Sequence, residues 1–488
     1  MSPTLVLIVI VSYFSVLILI SQVTSKGADT NTFFTANRQS PWYLVAFGMI
    51  GSSLSGVTFV SVPGNVGKVG FAYFQVVIGY IVGYWLIILV LMPLYYRLNL
   101  ISIYTYLEQR FDKWAYRTGS FFFIVSRSVG SSLRLFLAAS ILQIFLFDAW
   151  DVPFFVTVLT TIILIWVYTF RGGVKTIVYT DTFQTFFLIA AVCIAVWQIG
   201  SDLGYSVPQM FSEVWNSSYS TIFHFDDFKE GLFFPKQFFG GAFIALTMTG
   251  MDQEIMQKNL TCRNIGEAQK NMFWLTNIIV VVNFLFLILG ALLYLYAEKN
   301  GIVLPDASDN LFPMLALNNF GLLVGIFFLL GITASTYASS DSALAGLTTA
   351  FCIDFLDFRN KEEDIKKKQK TIVHVGFSLL FLVIILIVKA VNEKSIIDTV
   401  LKAAGYTYGP LLGLFAFGLL TKRTVKGWPI LAICLLSPCL SLWLSSHSSD
   451  WFSGYKIDIE ILIINGAITF LGLLAISSNT SQKEKATP

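Results

Sequence analysis

The chain has 488 residues, of which 56% are hydrophobic, 16% aromatic and only 12% charged, with a net charge of +3. So few charges cannot solvate a soluble globule of this size, which excludes that class and leaves a polytopic membrane protein. The small positive balance follows from basic residues gathered on one side of a bilayer and implies no nucleic-acid partner.

Runs of about 18 or more apolar residues are long enough to cross the hydrocarbon core. Thirteen are expected, at approximately 4–21, 41–62, 71–96, 118–147, 153–169, 176–200, 237–257, 271–297, 319–355, 371–390, 398–420, 427–446 and 457–477, an all-α integral membrane fold. The first has no basic n-region and no small-residue cleavage site, so a retained helix is expected rather than a removed signal peptide. The second is interrupted at its middle by Gly48-Met49-Ile50-Gly51-Ser52-Ser53-Leu54-Ser55-Gly56-Val57-Thr58. Glycine and serine permit unwinding, and unwound backbone at that depth must line a cavity or lie buried in protein. The fourth run carries Arg127, near enough to the cytoplasmic end to snorkel, and Arg134, close to the centre, which needs a carboxylate, water or an anion as partner. Asp181 enters the sixth span close to its start, where Lys175 or another cytoplasmic base is one available partner.

The seventh run has a second interruption at Thr247-Met248-Thr249-Gly250-Met251-Asp252-Gln253-Glu254, followed by Lys258. Close packing by small residues accounts for the glycine there but not for Asp252, Gln253 and Glu254. In the ninth run, Ser335-Thr336-Tyr337-Ala338-Ser339-Ser340-Asp341-Ser342 sits between the apolar stretches 320–332 and 343–355. Each hydroxyl taken singly can bond back to the carbonyl one turn earlier. Together, the hydroxyls, the carboxylate and carbonyls freed by helix breaks can replace the water shell of a hard cation, with sodium the natural occupant. Two interrupted helices five spans apart are the device with which inverted-repeat secondary transporters build a midplane site.

Nothing in the chain serves catalysis or a cofactor. His224, His374 and His447 are isolated near span ends and read as loop or interface residues, and no H-E-x-x-H or nucleophile-elbow pattern occurs. The five cysteines, Cys193, Cys262, Cys352, Cys434 and Cys439, have no metal-ligand spacing, and no disulfide is expected. The connections 201–236 and 356–370 are too short for an enzyme domain, so one membrane domain fills the chain. Placing the N-terminus outside makes 22–40, 97–117, 170–175, 258–270, 356–370, 421–426 and the C-terminal tail cytoplasmic. These hold 22 Lys and Arg, against seven on the other face: Lys68, Lys229, Lys236, Lys299, Lys389, Lys394 and Lys456. The expected orientation in the cell (inner or plasma) membrane is therefore N-out and C-in.

Four segments, "GSSLSGVTFVSVPG" at 51–64, "YTFRGGVKTIVYTDTFQ" at 168–184, "GMDQEIMQKNL" at 250–260 and "GPLLGLFAFGLLTKR" at 409–423, stand in an order and at span positions that resemble the sodium/solute symporter family. The resemblance spans nearly the whole chain. It implies a LeuT-like 5+5 inverted repeat with extra helices at the ends: a leading helix and loop at 1–40, a first repeat at 41–200, a second at 237–423, and two C-terminal helices with a short tail at 424–488. It also implies sodium-coupled uptake by alternating access. The principal sodium site of the family, carried across, falls on oxygens near Gly51 and Leu54 with Ser335, Ala338 and Ser339. Ala338 departs from the hydroxyl residue often found there and offers only its carbonyl. A second sodium, bound by some members, would use Asp181, Asp341 and Ser342, and in an empty site a proton on one of the two carboxylates is the alternative occupant.

Family solute pockets draw on the second, seventh and eleventh spans, which makes Ser53, Ser55, Thr58, Asp252, Gln253 and Tyr406 candidates for binding the solute. Arg134 adds a bidentate clamp for a carboxylate. An anionic solute such as a sugar acid follows if Arg134 faces it, whereas pairing of Arg134 with Asp252 or Glu254 favours a neutral sugar, polyol or amino acid. A solute-sensing module and a channel are the readings from other classes. The tail after Ser477 is too short for an output domain, and the paired breaks favour a carrier. The partners expected are the solute, the sodium ion and the bilayer.

Overall fold

Hydropathy, and the breaks in it, set the order of elements. The computed structural model describes residues 3–26, 30–169, 173–358, 361–391 and 396–478. Arg171 and Gly172 of the 168–184 segment, Arg359, Lys394 and the tail beyond Ser478 lie outside the described residues. All regular structure among those described is helical: α1 (Pro3–Thr24), α2a (Trp42–Ser53), α2b (Gly56–Val69), α3 (Tyr73–Leu86, carried on to Arg97), α4 (Lys113–Leu142), α5 (Phe154–Thr169), α6 (Gly173–Asp202), α7a (Phe234–Ala245), α7b (Gln253–Asn259), α8 (Ile265–Lys299), α9 (Gly321–Ala350), α10 (Glu363–Val391), α11 (Ile396–Leu420), α12 (Pro429–Trp451) and α13 (Ile461–Ile476), with short helices in the connections.

Among the described residues, nine helices are long and apolar enough to cross a membrane, or ten with α2a and α2b taken as one bent span. The other three expected spans differ from that pattern. α5 and α13 are apolar but only 16 residues long, about 24 Å at 1.5 Å per residue. α7 is divided by a π turn at Leu246–Gly250 and by non-helical backbone at Met251 and Asp252. Several helices also run past their apolar cores, α8 beginning at Ile265 and α10 at Glu363, because polar residues extend them beyond the hydrocarbon depth.

α9 is the axis of the bundle. Every residue from Gly331 to Ala350 is buried, with α6 packed along one side and α2a, α2b, α4 and α7b along others. The outer helices show the opposite pattern: α10 exposes Leu379, Val383 and Ile387, and α12 exposes Leu436, Leu440 and Trp443, apolar faces that only lipid tails would solvate well.

The first break has a local cause. α2a ends in Gly-Ser-Ser, Leu54 adopts φ −91° and ψ 82°, and Ser55 is extended, so α2b starts on a new axis 56° from the old one. Both sides of the break are held by close approach. Gly51 donates its N–H to Thr185 Oγ1 on α6 at 2.9 Å, and a Cβ on Gly56 would collide with Thr336 Oγ1 and lie 3.5 Å from Ser335 Oγ on α9. In the second break, Asp252 caps α7b by accepting from the N–H groups of Glu254 and Ile255 at 2.9 and 3.4 Å.

Candidate functional site

The break in α2 meets α9 at the serine-rich stretch. The last carbonyls of α2a have no helical partner and carry the partial negative charge of a helix C-terminus. Just past that break, Gly56 at the start of α2b packs against Ser335 and Thr336, and Ala338 and Ser339 follow on the next turn of α9, all fully or almost fully buried. Of the five residues expected at the principal sodium site, Gly51 and Leu54 therefore lie on the broken helix and Ser335, Ala338 and Ser339 on the helix packed against it. α9 runs through this stretch as a continuous helix. Its hydroxyls bond back within it: Ser335 Oγ donates to the Ile332 carbonyl at 3.2 Å and Ser339 Oγ to the Thr336 carbonyl at 3.0 Å. A hydroxyl that gives its proton to its own helix keeps oxygen lone pairs for a cation.

One turn further along the same helices lies a second polar cluster. Gly48 of α2a packs on the Cβ of Asp181. Asp341 accepts from the Tyr168 hydroxyl at 2.8 Å and from Ser342 Oγ at 3.0 Å. Lys258, on α7b, donates to Asp181 Oδ2 at 2.5 Å, with both side chains buried. Lys175 is not the partner of Asp181; the base that reaches it is Lys258.

On the other side of the break is a cavity of about 110 Å³, several times the roughly 10–15 Å³ that a single water needs. Ser53, Ser55 and Thr58 of α2 line it, and so do Tyr73, Tyr80 and Tyr84 of α3, Thr249, Asn283 and Arg134. Ser53 Oγ and Asn283 Oδ1 are buried without a protein partner. A larger cavity of about 330 Å³, bordered by Asn65, Lys68, Gln237 and Lys402, shares Tyr73 and Leu401 with the first, at the end of the bundle that carries the 201–236 connection.

The pairing with Glu254 considered for Arg134 is made by Arg127 instead. Arg127 does not snorkel: it is 3% exposed, pairs with Glu254 and lies 3.8 Å from Asp252. Arg134, also buried, makes no ion pair or hydrogen bond with any described residue, and both arginines border the cavity. Three other expected solute ligands do not reach its wall. Asp252 is spent on capping α7b and on the Tyr408 hydroxyl at 2.5 Å. Both ends of the Gln253 amide are taken by backbone, Ile103 N–H at 2.9 Å and the Ile101 carbonyl at 2.8 Å. Tyr406 turns its carbonyl to Asn465, and Tyr408, two residues on, is the tyrosine that meets the polar network. The tyrosines of α3 are not among the expected solute ligands, although their spacing of seven and four puts them on one helical face. His374, read as a loop or interface residue, is buried beside Thr348.

Over residues 33–427 the chain matches the family model described as the sodium:solute symporter family. It is 23% identical to the sodium/sialic acid symporter NanT of Aliivibrio fischeri over 463 residues, covering 90% of this chain and 86% of that one. It is 28% identical to sodium-coupled monocarboxylate transporter 2 of Bos taurus over 440 residues, covering 86% and 68%. Among solved structures, a Na+-coupled sialic acid symporter in a substrate-bound outward-open state superposes with a TM-score of 0.83 at 17% identity, over 97% of this chain and 99% of that one. At that identity the likeness establishes a shared fold.

Proposed function

The chain belongs to the sodium:solute symporter family, whose members are transporters and not enzymes, and from that premise we propose that it imports a small organic acid together with sodium by alternating access. The carrying observation is Arg134, a buried guanidinium with no partner among the described residues, set in the wall of a polar cavity. A charge at that depth is stable only against an opposite charge or polar groups. The first N–H groups of α2b open on the same cavity through Ser55, Val57 and Thr58, and a helix N-terminus adds partial positive charge. A carboxylate held by Arg134, with Ser53, Ser55 and Thr58 as hydrogen-bonding neighbours, satisfies both. The names of the relatives, sialic acid and monocarboxylate carriers, point the same way.

Sodium is assigned to the α2–α9 contact, with oxygens of Gly51, Leu54, Ser335, Ala338 and Ser339 as ligands. An ion there ties the α2 break to α9 and sets the cavity wall at Ser53 and Ser55 before the acid arrives. That order is the coupling. The two repeats, 41–200 and 237–423, would then rock about this site, with 1–40 and 424–488 flanking them and the N-terminus outside. The larger cavity at the end carrying the 201–236 connection and the buried Arg127–Glu254 pair, with Arg127 in the wall of the smaller one, support an outward-facing arrangement.

The test is sodium-dependent counterflow of a labelled organic acid in proteoliposomes. A channel gives no counterflow and a sensor no flux, so either result removes the proposal. Ser339→Ala should raise the sodium concentration for half-maximal uptake about tenfold, the equivalent of roughly 1.4 kcal/mol of lost coordination, while leaving the maximal rate near that of the parent. An unchanged sodium dependence would take Ser339 out of the site.

A further inference from the structure

The cluster one turn from the sodium site contains a cation of its own. Asp181 on α6 and Asp341 on α9 are both fully buried, and Asp341 interacts electrostatically with Asp181 and with Lys258. The Lys258 ammonium is 2.5 Å from Asp181 Oδ2, with 3% and 0% of the two side chains exposed. Polar atoms remain unused in the cluster: Asp181 Oδ1 and both ends of the Gln184 amide are buried without partners. This is the position at which the family resemblance expects a second sodium ion, and its carboxylates are already partly neutralised from within the chain.

We propose that the Lys258 ammonium is a resident cation that takes the place of a second sodium at Asp181 and Asp341, so that this carrier binds a single sodium ion per cycle. The inference rests on the sodium-coupled reading above.

Charge counting favours it. Counted over Asp181, Asp341 and Lys258 alone and with both carboxylates ionised, one negative charge remains, which a sodium ion at the adjoining Leu54–Ser335–Ser339 contact brings to zero. A second sodium would leave a net positive charge in a low-dielectric interior, where uncompensated charge is strongly disfavoured. Lysine suits the role because its ammonium is compact, with three donors on a flexible stem, and resembles a small monovalent cation more closely than a planar guanidinium does. The stem also joins α7b to α6 and α9, the helices whose polar turns make both clusters. With one sodium and a monovalent acid, the transported charges cancel. Uptake would then be driven by the sodium concentration gradient and not by membrane potential, an electrical term of about 2.3 kcal/mol per 100 mV for each net charge.

Binding of ²²Na⁺ to the purified full-length protein, without any solute, tests the proposal. The parent should saturate at one ion per chain. Lys258→Met, which keeps an apolar stem and removes the ammonium, should saturate at two. Where the Met variant does not fold, Lys258→Gln, which keeps a donor for Asp181 without the charge, carries the same expectation, and Lys258→Arg should stay at one. A parent count of two overturns the proposal, and so does a count of one in the folded uncharged variant. A parent that binds no sodium overturns the sodium-coupled reading instead, which keeps the two failures distinct.

Discussion

Arg134→Gln should weaken the apparent affinity for a transported organic acid by roughly 100-fold, while sodium binding and thermal stability stay close to those of the parent. Truncating one partner of a buried, hydrogen-bonded charge pair costs about 2–5 kcal/mol, and about 2.7 kcal/mol corresponds to a factor of 100. The loss falls on solute binding alone because Arg134 has no described protein partner to orphan. Arg134→Lys should recover part of the affinity, since a point charge replaces only part of a bidentate fork. The measurement is uptake competition by organic acids against their neutral analogues. If Arg134→Gln transports acids as well as the parent does, the carboxylate clamp is wrong, and the cavity of serines, tyrosines and Asn283 is left to a neutral, hydrogen-bonding solute.

The sequence carries those parts of the fold that depend on local composition. Hydropathy locates the long spans, and the clusters Gly51-Ser52-Ser53 and Gly250-Met251-Asp252 mark both breaks, because glycine and short polar residues lower the penalty for leaving the helix. The serine stretch of the ninth span is legible for the same reason: hydroxyls and a carboxylate at membrane depth conflict with the apolar pattern around them. Partner choice is not local, and here residue patterns fail. Arg127 and Arg134 are two turns apart on one helix, so they share a face, and only the height at which α7b packs decides which of them meets Glu254. Asp181 and Lys258 are separated by 77 residues, and their meeting depends on α7b lying along α9. Tyr406 and Tyr408 point to different sides of α11, so a choice between them by span alone carries no orientation. Gln253, flanked by acids, looks like a pocket residue, yet its amide satisfies the backbone of the connection at Ile101 and Ile103.

Seven residues from Arg134 on the same helix, Arg127 should respond in the opposite way, through stability. Glu254→Ala leaves a buried guanidinium whose remaining acidic neighbour, Asp252, is 3.8 Å away and already bonded to Tyr408. Breaking a buried ion pair on one side costs about 3–5 kcal/mol, mostly from the charge left behind. A large fall in the apparent melting temperature of the detergent-purified protein is expected for Glu254→Ala and for Arg127→Ala. The double variant Arg127→Met/Glu254→Met should regain most of the loss, since an apolar pair of similar volume substitutes for a buried ion pair at little net cost. The remainder reports the loss of Arg127 from Asp252, which keeps the Tyr408 hydroxyl and the α7b N–H groups as partners. With Arg127→Met and Glu254→Met as the matching single variants, additive losses in the double variant would mean that the two side chains are not energetically coupled. The pair joins α4 to α7b with Arg127 in the cavity wall, so coupling also bears on transport. A stable double variant that takes up acid more slowly than the parent would identify the pair as part of the cytoplasmic closure, and one that transports normally would confine it to holding the fold.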